Sequence, residues 1–183
     1  MVSNHWEHLP GFRVHPKGAS ARYKAATEEN PKRLVLALRH ATDAPNIWPA
    51  PTYYTEENGI LTEELDLEST HFPNGSVSLP FFVIPHSNRT LPFAYRVFID
   101  PGHLGPPPLN KTIAKGLKCP WLGHVVIARY ARGNNPNIHI YMQISRQENE
   151  IVSSLLACWF DKVWANLYGH VGSLDVFNAM YNP

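Results

Sequence analysis

Proline placement constrains this chain more than any other feature: of its seventeen prolines, only Pro183 lies beyond Pro136. Proline fixes φ and lacks a backbone donor, so a run punctuated by it cannot form long helices or uninterrupted central strands. The first two thirds are therefore expected to be rich in loops and short elements, and the last third to be regular. Pro106-Pro107-Pro108 reads as a stiff extended connector, and no internal repeat is visible. A length of 183 residues fits one domain, 1–183, and a hydrophobic share of 44% is enough to build a core. Charged residues make up 17% and the net charge is +1 with histidines neutral. That balance gives no footprint for nucleic acid or for an acidic membrane.

Residues 1–29 show no period and are expected to form an extended arm held by Trp6, Phe12 and Tyr23. Asn30 and Pro31 suit a helix start, and Leu34, Val35, Leu38 and Ala41 follow at helical spacing. The competing reading is a strand over Leu34 to Leu38, because that run is continuous and apolar. Residues 44–75 read as irregular, with an acidic segment (Glu56, Glu57, Glu63, Glu64, Asp66, Glu68) on a solvated face. Strands are expected over Val77 to Ile84, with Pro80 favouring an edge, and over Phe93 to Asp100. In the second, Ala94, Arg96, Phe98 and Asp100 share one face. Asn110 can cap a short helix from Lys111 to Leu117.

The clearest hairpin joins His124–Tyr130 to Ile138–Ile144 through a Gly, Asn and Pro turn. Pairing Tyr130 with Ile138 would gather Arg129, His139, Tyr141 and Gln143 on one mixed face; a slip of one residue would reverse this. Ser145-Arg146-Gln147-Glu148 has the pattern of a capping box. A helix of about twenty residues is expected after it, with a broad apolar stripe from Ile151 to Tyr168 and Gly169 as its cap. These elements predict an α+β domain: a four-stranded antiparallel sheet with a long C-terminal helix packed on one face and a loop-rich N-terminal region. The wide apolar face of residues 146–168 also suggests a homodimer.

The segments PFAYRVFID, PLNKTIAKG and CPWLGHVVIARYAR, between Pro92 and Arg132, resemble a family of uncharacterised proteins of mushroom-forming fungi. The shared features are a Y-R-V-F strand, an N-K segment and a P-W-x-G turn leading into an apolar strand. The resemblance covers about a third of the chain and implies a fungal intracellular protein with no assigned activity.

Three places can carry chemistry. His5, Glu7 and His8, with His15 nearby, are types that bind zinc, although their spacing matches no H-E-x-x-H pattern. Asp100 could orient His103 as a general base at the end of a strand. Arg129, His139, Tyr141 and Gln143 could bind an anion or a polar ligand. The chain has no Walker loop, G-x-G-x-x-G, G-x-S-x-G or C-x-x-C, and its two cysteines, Cys119 and Cys158, make neither a disulfide framework nor a zinc knuckle. The N-terminus lacks the pattern of a signal peptide, so a cytoplasmic or nuclear location is expected and the sequons at Asn74, Asn88 and Asn110 read as accidental. The leading expectation is an intracellular binding or interaction domain. The alternatives are a small histidine-using enzyme, with or without a metal, and a lectin-like or small-ligand binder using Trp48, Trp121 and Tyr141. No particular cofactor is indicated.

Overall fold

The computed structural model describes residues 13–15, 17–18, 32–38, 46–57, 59–83, 90–100, 108–117, 121–132, 139–148 and 152. Eight antiparallel strands dominate them: β1 (Arg13–His15), β2 (Lys32–Leu38), β3 (Asn46–Glu57), β4 (Ile60–Leu65), β5 (Ser76–Val83), β6 (Thr90–Ile99), β7 (Val125–Arg132) and β8 (His139–Met142). One short helix, α1 (Lys111–Leu117), and a 3-10 turn at Arg146–Glu148 accompany them. The strands form one sheet in the order β1-β5-β6-β7-β2-β3-β4, with β8 branching from β7. The sheet curls into a half-barrel.

This corrects the expected α+β architecture of four strands under a long helix. Of the stretch 151–168, only Val152 is described; it is helical and buried. The proposed homodimer face therefore falls almost wholly outside the described residues. Lys32 to Leu38 is a strand rather than a helix. It runs between β7 and β3, so Val35, Leu36 and Ala37 are all buried and the alternation that would have marked a strand is lost. Residues 46–65, expected to be irregular, are the long hairpin β3–β4. Its turn sits between the pair Glu57 and Ile60, with Gly59 at φ 75°. Asn-Gly is the favoured pair for such a two-residue turn. From the N-terminal arm, Arg13–His15 adds to β5 as an edge strand.

Several expectations hold. β5 and β6 pair as a hairpin, and Pro80 lies beyond the three residues of β5 that β1 covers. Asn110 caps α1 by accepting from the Ile113 amide at 3.0 Å while its own side-chain amide donates to the Gly123 carbonyl. Asn110 is wholly buried there, which removes it as a glycosylation site. Ser145 and Glu148 form part of the expected box, the Ser145 amide donating to the Glu148 carboxylate at 2.7 Å.

Cross-strand neighbours share a face of a sheet. Following the register, Arg13 lies opposite Ser78, Ser78 opposite Phe98, Phe98 opposite Val126, and Val126 opposite Ala37. That concave face holds the cluster Val35, Ala37, Ala50, Leu65, Phe98, Val126, Ala128, Tyr130 and Tyr141. The other face is covered as well: Leu36, Tyr95, Val97, Ile99, Val125 and Ile127 are buried there. Tyr95 and Arg129 on that face donate to Glu148 of the 3-10 turn, at 3.1 and 2.9 Å. The central strands are thus sandwiched, which explains why they read as continuous apolar runs.

Candidate functional site

Arg96 is the most unusual residue of the sheet, because a guanidinium 2% exposed in the middle of a sheet is rare. Strand alternation puts it between Ala94 and Phe98 on the concave face. Its Nη1 donates to Ser78 Oγ at 2.7 Å, and its Cζ lies 5.8 Å from the centre of the Tyr130 ring. The same serine oxygen meets His15 Nε2 at 2.8 Å, and the His15 ring packs on Phe98 with centroids 5.3 Å apart. One strand outward, Arg13 Nη1 donates to Glu64 Oε1 at 2.8 Å.

The Arg13–Glu64 contact has a topological meaning. β1 and β4 are the two ends of the sheet's strand order, and no backbone pairing between them occurs among the described residues. The curl brings them together, and side chains bridge the seam. A second bridge runs from the Gly18 amide to Glu68 Oε1 at 2.6 Å. On the far side, Glu63 accepts from Arg33 at 2.9 Å and from the Tyr141 amide at 3.2 Å, tying β4 to β2 and β8. The two glutamates that read as a solvated acidic face are each 6% exposed.

Electrostatics follow from this crowding. Burial, with Arg96 and Arg13 adding to it, pushes the His15 imidazole down to about 3, so it is neutral at physiological pH. Burial lowers the Arg96 guanidinium from its ordinary value, and Arg13 adds to that, while Tyr141, Tyr130 and Glu64 oppose it. Burial also raises the Glu64 carboxyl, against the pull of Arg13 and Arg96. The Tyr141 hydroxyl is driven well above its usual value, first by burial and then by Glu64. Glu64 Oε2 is buried with no hydrogen-bond partner among the described residues.

The candidates read from sequence fall partly within the described residues. His5, Glu7, His8 and His103 lie outside the described residues; Asp100 directly follows β6. The hairpin β7–β8 pairs Tyr130 with Tyr141 and Arg129 with Met142, not Tyr130 with Ile138. That odd shift moves Tyr141 to the concave face and leaves Arg129 on the other, where it stacks over Phe93 at 4.4 Å. His139 lies opposite Arg132 in β8. The Gln143 amide bonds the Leu34 amide and the Lys32 carbonyl, holding β2 where it leaves β7. Trp121 and Tyr141 are buried and Trp48 packs on the core, so they form no open stacking platform. Among the described residues, no three His, Cys, Asp or Glu side chains gather as metal ligands, and no helix is long and apolar enough to cross a membrane.

Sequence reasoning missed Arg13, Ser78, Glu64 and Arg96. The available signal was an arginine on the Ala94–Phe98 face of an otherwise apolar strand. Comparison with protein-family models, with curated proteins and with solved structures matched nothing.

Proposed function

We propose that the chain is a non-enzymatic binding domain that holds a small polar molecule against the concave face of its sheet, reached through the seam between β1 and β4. One observation carries the reading. Arg13, His15, Ser78, Arg96, Glu64 and Tyr141 come from five strands into one neighbourhood, where the His15 ring packs on Phe98. A core gains little from two guanidiniums near one another, because desolvating each costs several kcal/mol and they repel. Groups whose ionisation burial distorts in this way concentrate at binding sites. The Arg13 side chain, 26% exposed, marks the outer end of the cluster.

The Ser78–His15 contact favours a second reading, a serine nucleophile with an imidazole base. Three features weigh against it. The imidazole at about 3 is a base weaker than ordinary histidine by three orders of magnitude. Ser78 is wholly buried, and Arg96 already donates to its oxygen.

Thermal-shift measurements across a panel of small polar molecules test the proposal, with a fluorophosphonate serine probe alongside. Binding predicts a midpoint rise of several degrees for at least one compound class and no labelling of Ser78. Stoichiometric labelling of Ser78 would replace the proposal with the hydrolytic reading.

A further inference from the structure

We propose that β1 is a detachable clasp: it closes the seam of the half-barrel and swings away as a unit while the rest of the sheet stays folded. The clasp opens whether or not a molecule follows, so it stands apart from the ligand reading.

β1 lies at one end of the strand order and β4 at the other. Among the described residues, β1 pairs through Arg13, Val14 and His15 alone, opposite Ser78, Val77 and Ser76. β6, by contrast, pairs with β7 continuously from Ala94 to Ile99. Val14 is 60% exposed, so the middle of β1 faces solvent. Polar groups hold the seam instead. Arg13 Nη1 donates to Glu64 Oε1 at 2.8 Å, in a pair whose side chains are 26% and 8% exposed. The Gly18 amide donates to Glu68 Oε1 at 2.6 Å, so the same short segment also grips the chain just after β4. His15 is the plug: its ring tilts against Phe98, and its Nε2 meets Ser78 Oγ at 2.8 Å.

Release of β1 strands little. Breaking a hydrogen bond costs most when one partner stays buried without a replacement. Ser78 keeps Arg96 as a donor when His15 leaves. Glu64 and Glu68 lie at the seam itself, where water replaces the departing donors. Glu63 keeps Arg33 and the Tyr141 amide, so β4 stays tied to β2 and β8. Short edge elements joined to a core by few bonds open at a free energy well below that of global unfolding, whereas a ladder like that of β6 and β7 is expected to open only with the whole sheet. The open clasp gives solvent a route to Ser78 and to the side of Phe98 that the imidazole had covered.

Hydrogen exchange of the full chain in low urea, read by mass spectrometry, tests this. Peptides covering residues 13–18 are compared with peptides covering β7. Expected in the parent are exchange at least about tenfold faster in 13–18 than in β7, and a weaker dependence on urea there, because the open state exposes little surface. Ordinary fraying of an edge strand would also give fast exchange, and a substitution on β4 separates the two. Glu64→Gln, 51 residues from Arg13, should speed exchange in 13–18 at least about fivefold. Arg13→Gln should do the same, and the double variant no more than either alone. Exchange of 13–18 at the rate and urea dependence of β7 would overturn the proposal, since β1 would then open only with the whole sheet. Indifference of 13–18 to Glu64→Gln would overturn it too, since the strand would then fray with no clasp across the seam. The parent comparison needs no substitution, and the reversed pair Arg13→Glu with Glu64→Arg should restore slow exchange, so a variant that fails to fold hides neither result.

Discussion

Glu148 ties the segment after β8 to the sheet, and replacing it with glutamine should cost far more than a surface substitution. Oε1 accepts from Tyr95 Oη and from Arg129 Nη1, and Oε2 accepts from the Ser145 amide. The ion pair is mostly out of solvent, with side-chain exposures of 17% for Arg129 and 10% for Glu148. Burial by itself would raise this carboxyl. The Ser145 amide and hydroxyl, Arg129 and Tyr95 outweigh it and hold the group below the usual carboxylate range. Glu148→Gln keeps the shape but removes the charge, and it turns an NH2 toward at least one of the three donors. Charged hydrogen bonds contribute about 1.5–3 kcal/mol each, and they are not additive here, so a net loss of about 2–3 kcal/mol is expected. With a urea slope of roughly 2 kcal/mol/M, the unfolding midpoint should fall by about 1–1.5 M. Because the folded-state pKa is depressed, this contribution is present at neutral pH and disappears as pH falls through the folded value, so the variant and the parent should converge in acid. A double-mutant cycle with Tyr95→Phe should show coupling of at least about 0.5 kcal/mol. A loss under about 0.5 kcal/mol at pH 7, or strict additivity with Tyr95→Phe, would refute the reasoning.

Phe98→Ala should destabilise by about 3–5 kcal/mol in chemical denaturation, since Phe98 is 1% exposed at the centre of the concave cluster. Gly59→Ala should cost about 1–2 kcal/mol by the same assay, from backbone strain alone, because φ is +75° while the space around the added Cβ is open. The lowered His15 value means that the unfolded chain binds the proton more tightly. Stability should therefore rise with pH between about 3 and 6.5, by no more than roughly 5 kcal/mol for this group, and His15→Gln should flatten that part of the profile in pH-dependent unfolding.

Local chemistry in this chain was legible where both partners lie close in sequence. Asn110 capping α1, the Ser145–Glu148 contact and the β5–β6 hairpin each need only a few residues of context. β2 was misread because a strand buried on both faces carries no period of two, and its apolar run fits a helix equally well. The prolines at 49 and 51 hid β3, although the Asn-Gly at 58–59 marked its turn. Glu63 and Glu64 illustrate the harder limit. Their partners, Arg33 and Arg13, lie 30 and 51 residues away, and only the curl of the sheet brings them together. The site at Arg96 depends on that same curl, so a correct set of strands would still have left it unseen. The face assignment of Tyr141 turned on register alone.

The most direct test of the central claim is the urea unfolding of Arg96→Met beside the parent chain. A group kept for binding is often held at the expense of stability, and an apolar side chain of similar length removes the desolvation cost of the buried guanidinium. Ser78 would retain His15 as its partner. The expected result is a variant within about 1 kcal/mol of the parent, or more stable than it. A loss greater than about 3 kcal/mol would show that Arg96 holds the sheet together, and would contradict the assignment of this cluster as a ligand site.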